Sequence, residues 1–154
     1  MNIKISGSIT ILKDSKTVFD FISNLEHDKL WRKEVNYTNV SGGSILNSIA
    51  TEDSFLSKRV PSHILNLQCI ELVENKLVAY QTLPDSKFFL KSIRKVESVS
   101  QNETRVLYSI EFDKGIVKHG LGFALPDFII NLAAKADMKK YLSKLKSIME
   151  ISIA

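Results

Sequence analysis

Cysteine, tryptophan, proline and glycine are all scarce in this chain of 154 residues, and no long apolar run is present. Cys69 is the only cysteine, so no intramolecular disulfide can form and an oxidising compartment is not indicated. A membrane-spanning helix needs about 20 consecutive apolar residues, and no stretch approaches that. The amino-terminal MNIKISGSIT has no apolar run followed by a cleavage site. Three prolines and six glycines leave no room for a collagenous or low-complexity segment, and no internal repeat is found. These absences predict a soluble, cytoplasmic chain forming one domain over residues 1–154.

Chemistry-bearing motifs are equally sparse. His27, His63 and His119 are far apart, none stands in a His-x-x-x-His or Glu-x-x-His spacing, and Cys69 has no partner. A structural zinc site needs about four ligands, so no metal is expected. GLGFALP, residues 120–126, lacks the third glycine of a dinucleotide fingerprint and the Lys-Ser/Thr of a P-loop, and no cofactor is expected. Cys69 lies mid-strand beside Leu67 and Ile70, where a small buried hydrophobe is the ordinary role. The formal charge of +4 is mildly basic. The lysines of KKYLSKLK read as the solvated face of an amphipathic helix, and no nucleic-acid partner is expected.

What is present is periodicity. IKISGSITIL alternates apolar and polar residues as a half-buried strand does. Asp14 or Ser15 then suits a helix start, and Val18, Phe19, Phe21, Ile22 and Leu25 recur at helical spacing. Asn24 marks a break before a second short helical piece, Glu26 to Leu30. Further strands are predicted in VNYTNV, ILNSIATEDSFL, SHILNLQCIELV, LVAYQTL, KFFLKSIRKVESV and TRVLYSIEFD, with turns at Ser41–Ser44, Glu74–Lys76, Pro84–Ser86 and Ser100–Glu103. DKGIVKHGLG reads as a flexible approach to a final helix opened by Pro126, whose missing N–H is no loss in a first turn. Phe128, Leu132, Ala136, Leu142, Leu145 and Met149 are assigned to its apolar face. Strands segregated from helices predict an α+β domain with one long helix, roughly 35 Å, packed on an antiparallel sheet.

In FISNLEHDKLWRKEV, residues 21–35, a histidine, three acids and the only tryptophan crowd together. No partner elsewhere completes a recognisable site, so His27, Asp28 and Lys29 are assigned to an exposed turn. On TRVLYSIEF, Val106, Tyr108, Ile110 and Phe112 share one face by period two, which turns Tyr108 inward. Arg94 shares a face with Phe88, Leu90 and Val96 if that strand is regular. It is then either a cation among apolar neighbours or a solvated strand-end arginine. With His63, Tyr80 and Glu71, these are the candidates for acid–base work.

The segment ITILKDSKTVFDFISNLEHDKLW resembles the opening of the START/Bet v 1-like superfamily, in its polyketide cyclase/dehydratase-like branch. The matching elements are Val18-Phe19-Asp20-Phe21-Ile22, Asn24-Leu25-Glu26 and Trp31. VSGGS, NETRVLYSI and LSKLKSIME match as well, although Asn47-Ser48 and Asn102-Glu103 stand where that group often has glycine. The resemblance implies a helix-grip fold, a curved antiparallel sheet wrapped around the long C-terminal helix, with two short helices after the first strand. It also implies an elongated apolar cavity beneath that helix, binding or carrying a hydrophobic small molecule: a lipid, polyketide, isoprenoid or aromatic metabolite. Trp31, Phe55, Phe88, Tyr108, Phe112, Phe123, Phe128, Leu132 and Ala136 are the expected lining, with Trp31 at the edge of the cavity mouth under the resemblance. The alternatives are a cyclase or dehydratase using Tyr108, His63 or Arg94 in the same cavity, and an interaction module with a filled core.

Overall fold

The computed structural model describes residues 2–41 and 46–151. The turn expected at Ser41–Ser44 falls mostly outside them. Seven strands form one sheet: β1 (Asn2–Ile11), β2 (Val35–Ser41), β3 (Ile49–Ser54), β4 (His63–Val73), β5 (Leu77–Thr82), β6 (Leu90–Ser100) and β7 (Glu103–Asp113). The order across the sheet is β1-β7-β6-β5-β4-β3-β2, and every neighbouring pair is antiparallel. Register shifts at Val35/Tyr37, Cys69/Glu71 and Ser98/Ser100 are of the kind that bend strands and increase their twist. Asn75 takes φ 61° in the β4–β5 hairpin, a left-handed geometry that asparagine tolerates.

Consecutive strands are neighbours except β1 and β2, which occupy opposite edges. The chain crosses between them through α1 (Ser15–Ser23) and a 3₁₀ helix (Leu25–Leu30). Asp14 caps α1 by accepting the Thr17 N–H at 3.0 Å and the Thr17 hydroxyl at 2.7 Å. Asn24 ends that helix and starts the next piece, its side chain accepting the Glu26 N–H at 3.1 Å. Val18, Phe19, Ile22 and Leu25 turn their apolar faces into the core.

Two departures from the sequence reading concern the C-terminal third. Gly115–Leu121 is a short helix, α2, where a flexible approach was expected. Gly122, at φ 86°, supplies the left-handed residue that terminates it. The second concerns the facing of α3 (Asp127–Ile151). Its buried residues are Ile130, Met138, Leu142, Leu145 and Met149, with Ala134 half-buried between the first two. Phe128 and Leu132 are 66% and 65% exposed, and Ala136 is exposed. The step from Ala136 to Leu142 is six residues, about 240° around a helix, so these residues never shared one stripe. The frame 130, 134, 138, 142, 145, 149 runs without interruption.

The helix packs chiefly on β1. Closest approach is at Gly7, where an added Cβ would lie 2.9 Å from both Leu142 Cδ1 and Met138 Cγ. Gly7→Val is therefore expected to lower stability by about 1–3 kcal/mol through overpacking. Urea denaturation of the two proteins measures it.

Candidate functional site

The crossover is fastened to the middle of the sheet by charge. Asp28, in the 3₁₀ helix, is 0% exposed, which corrects its assignment to a surface turn; Arg94 on β6 is 1% exposed. Arg94 Nη1 and Nη2 donate to the two oxygens of Asp28 at 2.7 and 2.6 Å, while Nη1 also donates to the Ile22 carbonyl at 2.9 Å. Its Nε reaches Ser92 Oγ at 3.2 Å. The guanidinium lies 5.0 Å from the Trp31 ring and 5.2 Å from that of Tyr108, geometry that adds about 0.5–2 kcal/mol per contact. Lysine could not replace Arg94, because only a planar fork grips both carboxylate oxygens. The solvated strand-end alternative for Arg94 does not hold.

A second arginine extends the network toward the space under α3. Arg32 Nη1 donates to Asp28 Oδ2 at 2.8 Å and to Glu52 Oε1 at 3.0 Å. Its Nη2 and Nε donate to Glu34 Oε1 at 2.8 and 3.2 Å. Ser54 Oγ donates to Glu52 Oε2 at 2.7 Å, and the Tyr141 hydroxyl of α3 donates to Glu34 Oε2. Burial pushes Asp28 and Glu34 toward the neutral form, but the arginine charges and hydrogen bonds outweigh it and hold both carboxyls below the ordinary range. Arg32 and Arg94 are opposed by burial and held charged by these same acids. Burial pushes the Tyr108 and Tyr141 hydroxyls upward, and at Tyr141 the Glu34 carboxylate adds to it.

Beside this network a cavity of about 670 Å³ lies between the sheet and α3. Leu65, Leu90, Ile110 and Phe112 form its sheet wall, Ile116 and Val117 of α2 one side, and Ala134 and Met138 of α3 the roof. Arg32, Glu34, Glu52, Ser54 and Tyr141 make one end polar. Tyr108 is buried, lines the cavity, and donates no hydrogen bond to any described residue. Lys33, paired with Asp137 at 3.1 Å, and Phe55 line it too and are exposed, so the cavity reaches the surface there. The core is thus not filled.

Three of the residues expected in the lining, Phe55, Tyr108 and Phe112, are found in it. Trp31 is instead a core residue, edge-on to Tyr108 with ring centroids 5.4 Å apart, and not a rim. Phe88 packs beside His63 and His119, between the sheet and α2. Phe123, Phe128, Leu132 and Ala136 point outward and line nothing. His63 stands outside the lining, its imidazole pushed down by burial, then by His119 and Lys87. Tyr80 is buried against the Ser23 carbonyl at 3.3 Å, and Glu71 is exposed. Asp28, Arg32, Glu34, Glu52 and Tyr141 went unrecognised as site residues. Two signals were available: Asp28 and Arg32 stand at i,i+4, and Glu52 shares the period-two face of Ala50 and Ser54.

Neither a family model nor a curated protein sequence matches the chain. By shape it is similar to a START superfamily protein from Mycobacterium smegmatis, with TM-score 0.75 and 13% identity over 97% of this chain and 98% of the other. An aromatase/cyclase from a Streptomyces species also gives TM-score 0.75, at 9% identity over 100% and 97%. A di-domain aromatase/cyclase gives 0.64, at 12% identity over 97% of this chain and 50% of that one. With the seven-stranded antiparallel sheet and its long closing helix, these likenesses identify a START/Bet v 1-like helix-grip fold. No helix among the described residues is long and apolar enough to cross a membrane.

Asp28→Asn would leave the buried Arg94 guanidinium without its carboxylate partner and is expected to cost about 3–5 kcal/mol, read by denaturant unfolding. In the wild type, the folded-state pKa of Asp28 lies below the unfolded value. As pH falls, the unfolded chain therefore takes up this proton first. The stabilisation from Asp28 is complete well above about pH 4 and is lost as pH drops through the folded-state pKa. Unfolding measured between pH 7 and pH 2 checks the direction.

Proposed function

We propose that the chain binds or carries a small molecule with an apolar body in the cavity under α3. The observation that carries this reading is the combination of about 670 Å³ of space, aliphatic and aromatic walls, and one polar end. That volume lies within the roughly 300–1,000 Å³ of small-molecule sites, and a few polar groups in an apolar wall are what orient such ligands. Apolar surface on this scale is driven from water by its own hydration, so an amphiphile of matching shape gains free energy by moving in.

The enzymatic alternative, a cyclase or dehydratase, draws its support from the Tyr108 hydroxyl at the cavity wall. Acid–base catalysis works best with a group titrating near the working pH. Here the environment pushes the other way: Asp28 and Glu34 are held low, while Tyr108 and Tyr141 are pushed up. His63 stands outside the lining. Such a set holds a polar head in place better than it moves a proton, which favours binding or carriage over turnover.

The test is direct. Purified protein is extracted with organic solvent and the extract analysed by mass spectrometry for a retained apolar species. In parallel, a neutral environment-sensitive dye is titrated into stripped protein. Ala134→Trp, which would fill the roof of the cavity, is expected to weaken dye binding about tenfold or more. Absence of both retained ligand and dye binding would sink the reading.

A further inference from the structure

The polar end of the cavity is unevenly charged, and this bears on what it accepts. Three carboxylates, Asp28, Glu34 and Glu52, face two guanidiniums, Arg32 and Arg94. The only other charged lining residues, Lys33 and Asp137, pair with each other. The cluster thus carries one net negative charge at the polar end of an apolar space.

Its hydrogen-bonding capacity leans the same way. A guanidinium has five N–H donors, and Arg32 has committed four of them to Asp28, Glu52 and Glu34. Arg94 has likewise committed four and does not line the cavity. A carboxylate offers about four lone-pair positions; from other residues Glu34 receives Arg32 Nε, Arg32 Nη2 and the Tyr141 hydroxyl, and its own backbone N–H adds to these. Glu34 is also the acid that keeps accessible surface, with 27% of its side chain exposed. Tyr141, having given its proton to Glu34, presents an oxygen that can still accept. The hydroxyl of Tyr108, which lines the cavity, can donate or accept.

From this we infer that the ligand carries an alcohol, phenol or amine head that donates to Glu34, and that carboxylates and phosphates are excluded. The inference rests on the cavity reading proposed above and narrows it to a chemical class. An anionic head would find one spare guanidinium N–H, the Tyr108 hydroxyl and the N–H groups that Lys33 does not give to Asp137, while sitting against a net negative cluster. An amine or hydroxyl meets Glu34, Tyr141 and Tyr108 with complementary groups. Like charges brought together at a partly buried site repel, which sets the direction of the discrimination.

The experiment holds the apolar body fixed and varies the head. Naphthylmethylamine, naphthalenemethanol and naphthoate are each used at about pH 7 to displace the neutral dye from stripped wild-type protein. The amine and the alcohol should displace it, and the carboxylate should bind at least about tenfold more weakly. In Glu34→Gln, which removes the charge and keeps the shape, the gap between amine and carboxylate should shrink to about threefold or less. Equal displacement by all three compounds, or by none, while the dye still binds overturns the head-group inference and leaves the cavity reading standing. Failure of the dye itself to bind removes the cavity reading.

Discussion

The two-toothed grip of Arg94 on Asp28 is the contact around which this structure is arranged. β1 and β2 lie at opposite edges of the sheet, and the chain between them must cross the whole width. The crossover is short and curved, and its last piece is a 3₁₀ helix, whose hydrogen bonding is poor in long runs. Burial of Val18, Phe19, Ile22 and Leu25 holds it against the sheet without fixing its position along it. The ion pair fixes that position, because a bidentate pair tolerates little sliding. Arg94 Nη1 also ties down the Ile22 carbonyl, and Tyr80 ties down that of Ser23. Dehydrating such charges is expensive, and the lost hydration is offset only where nearly every donor is matched. Eight guanidinium hydrogen bonds accomplish this here.

The cavity follows from the same geometry. With the crossover held down, residues 32–34 lead from it into β2 and carry Arg32 and Glu34 to the space under α3. The helix packs closest where Gly7 permits contact with Met138 and Leu142. Toward its N-terminus it presents small or partly buried residues, Ala134 among them, and the space that remains is bounded by α2. Met138 belongs both to the close contact with Gly7 and to the cavity lining, so the packed and the open stretch of the helix adjoin. The polar cluster sits at the boundary between core and cavity, so the groups that stabilise the fold also define the head of the pocket.

Much of this was legible in the sequence because strands and amphipathic helices announce themselves by period. All seven strands, both pieces of the crossover and the long C-terminal helix could be read that way, as could the inward side of Tyr108. Asp28 could not. It sits in a run of polar residues, EHDK, whose texture is that of a surface turn, and its principal partner is 66 residues away. Burial of a charge is decided by a long-range partner, and no local pattern carries that information. The facing of α3 failed for a different reason: its first turns hold apolar residues nearly all round, so two stripes compete and only the uninterrupted one packs. α2 was missed because two glycines and a short length conceal a helix held by tertiary contacts, among them Ser57 to the Gly120 carbonyl.

The buried network also constrains how this sequence can change. Removing one member leaves a partner charged and dry, a loss of about 3–5 kcal/mol, whereas replacing a whole set by apolar residues of similar volume is often neutral or better. The total stability of a domain is only about 5–15 kcal/mol, so the intermediate steps are close to forbidden even where the endpoint is sound. Positions 28, 32 and 94 are therefore epistatically locked, each holding the others in place. Their retention in descendants of this chain would follow from that lock alone, and would be no sign that any of the three touches a substrate.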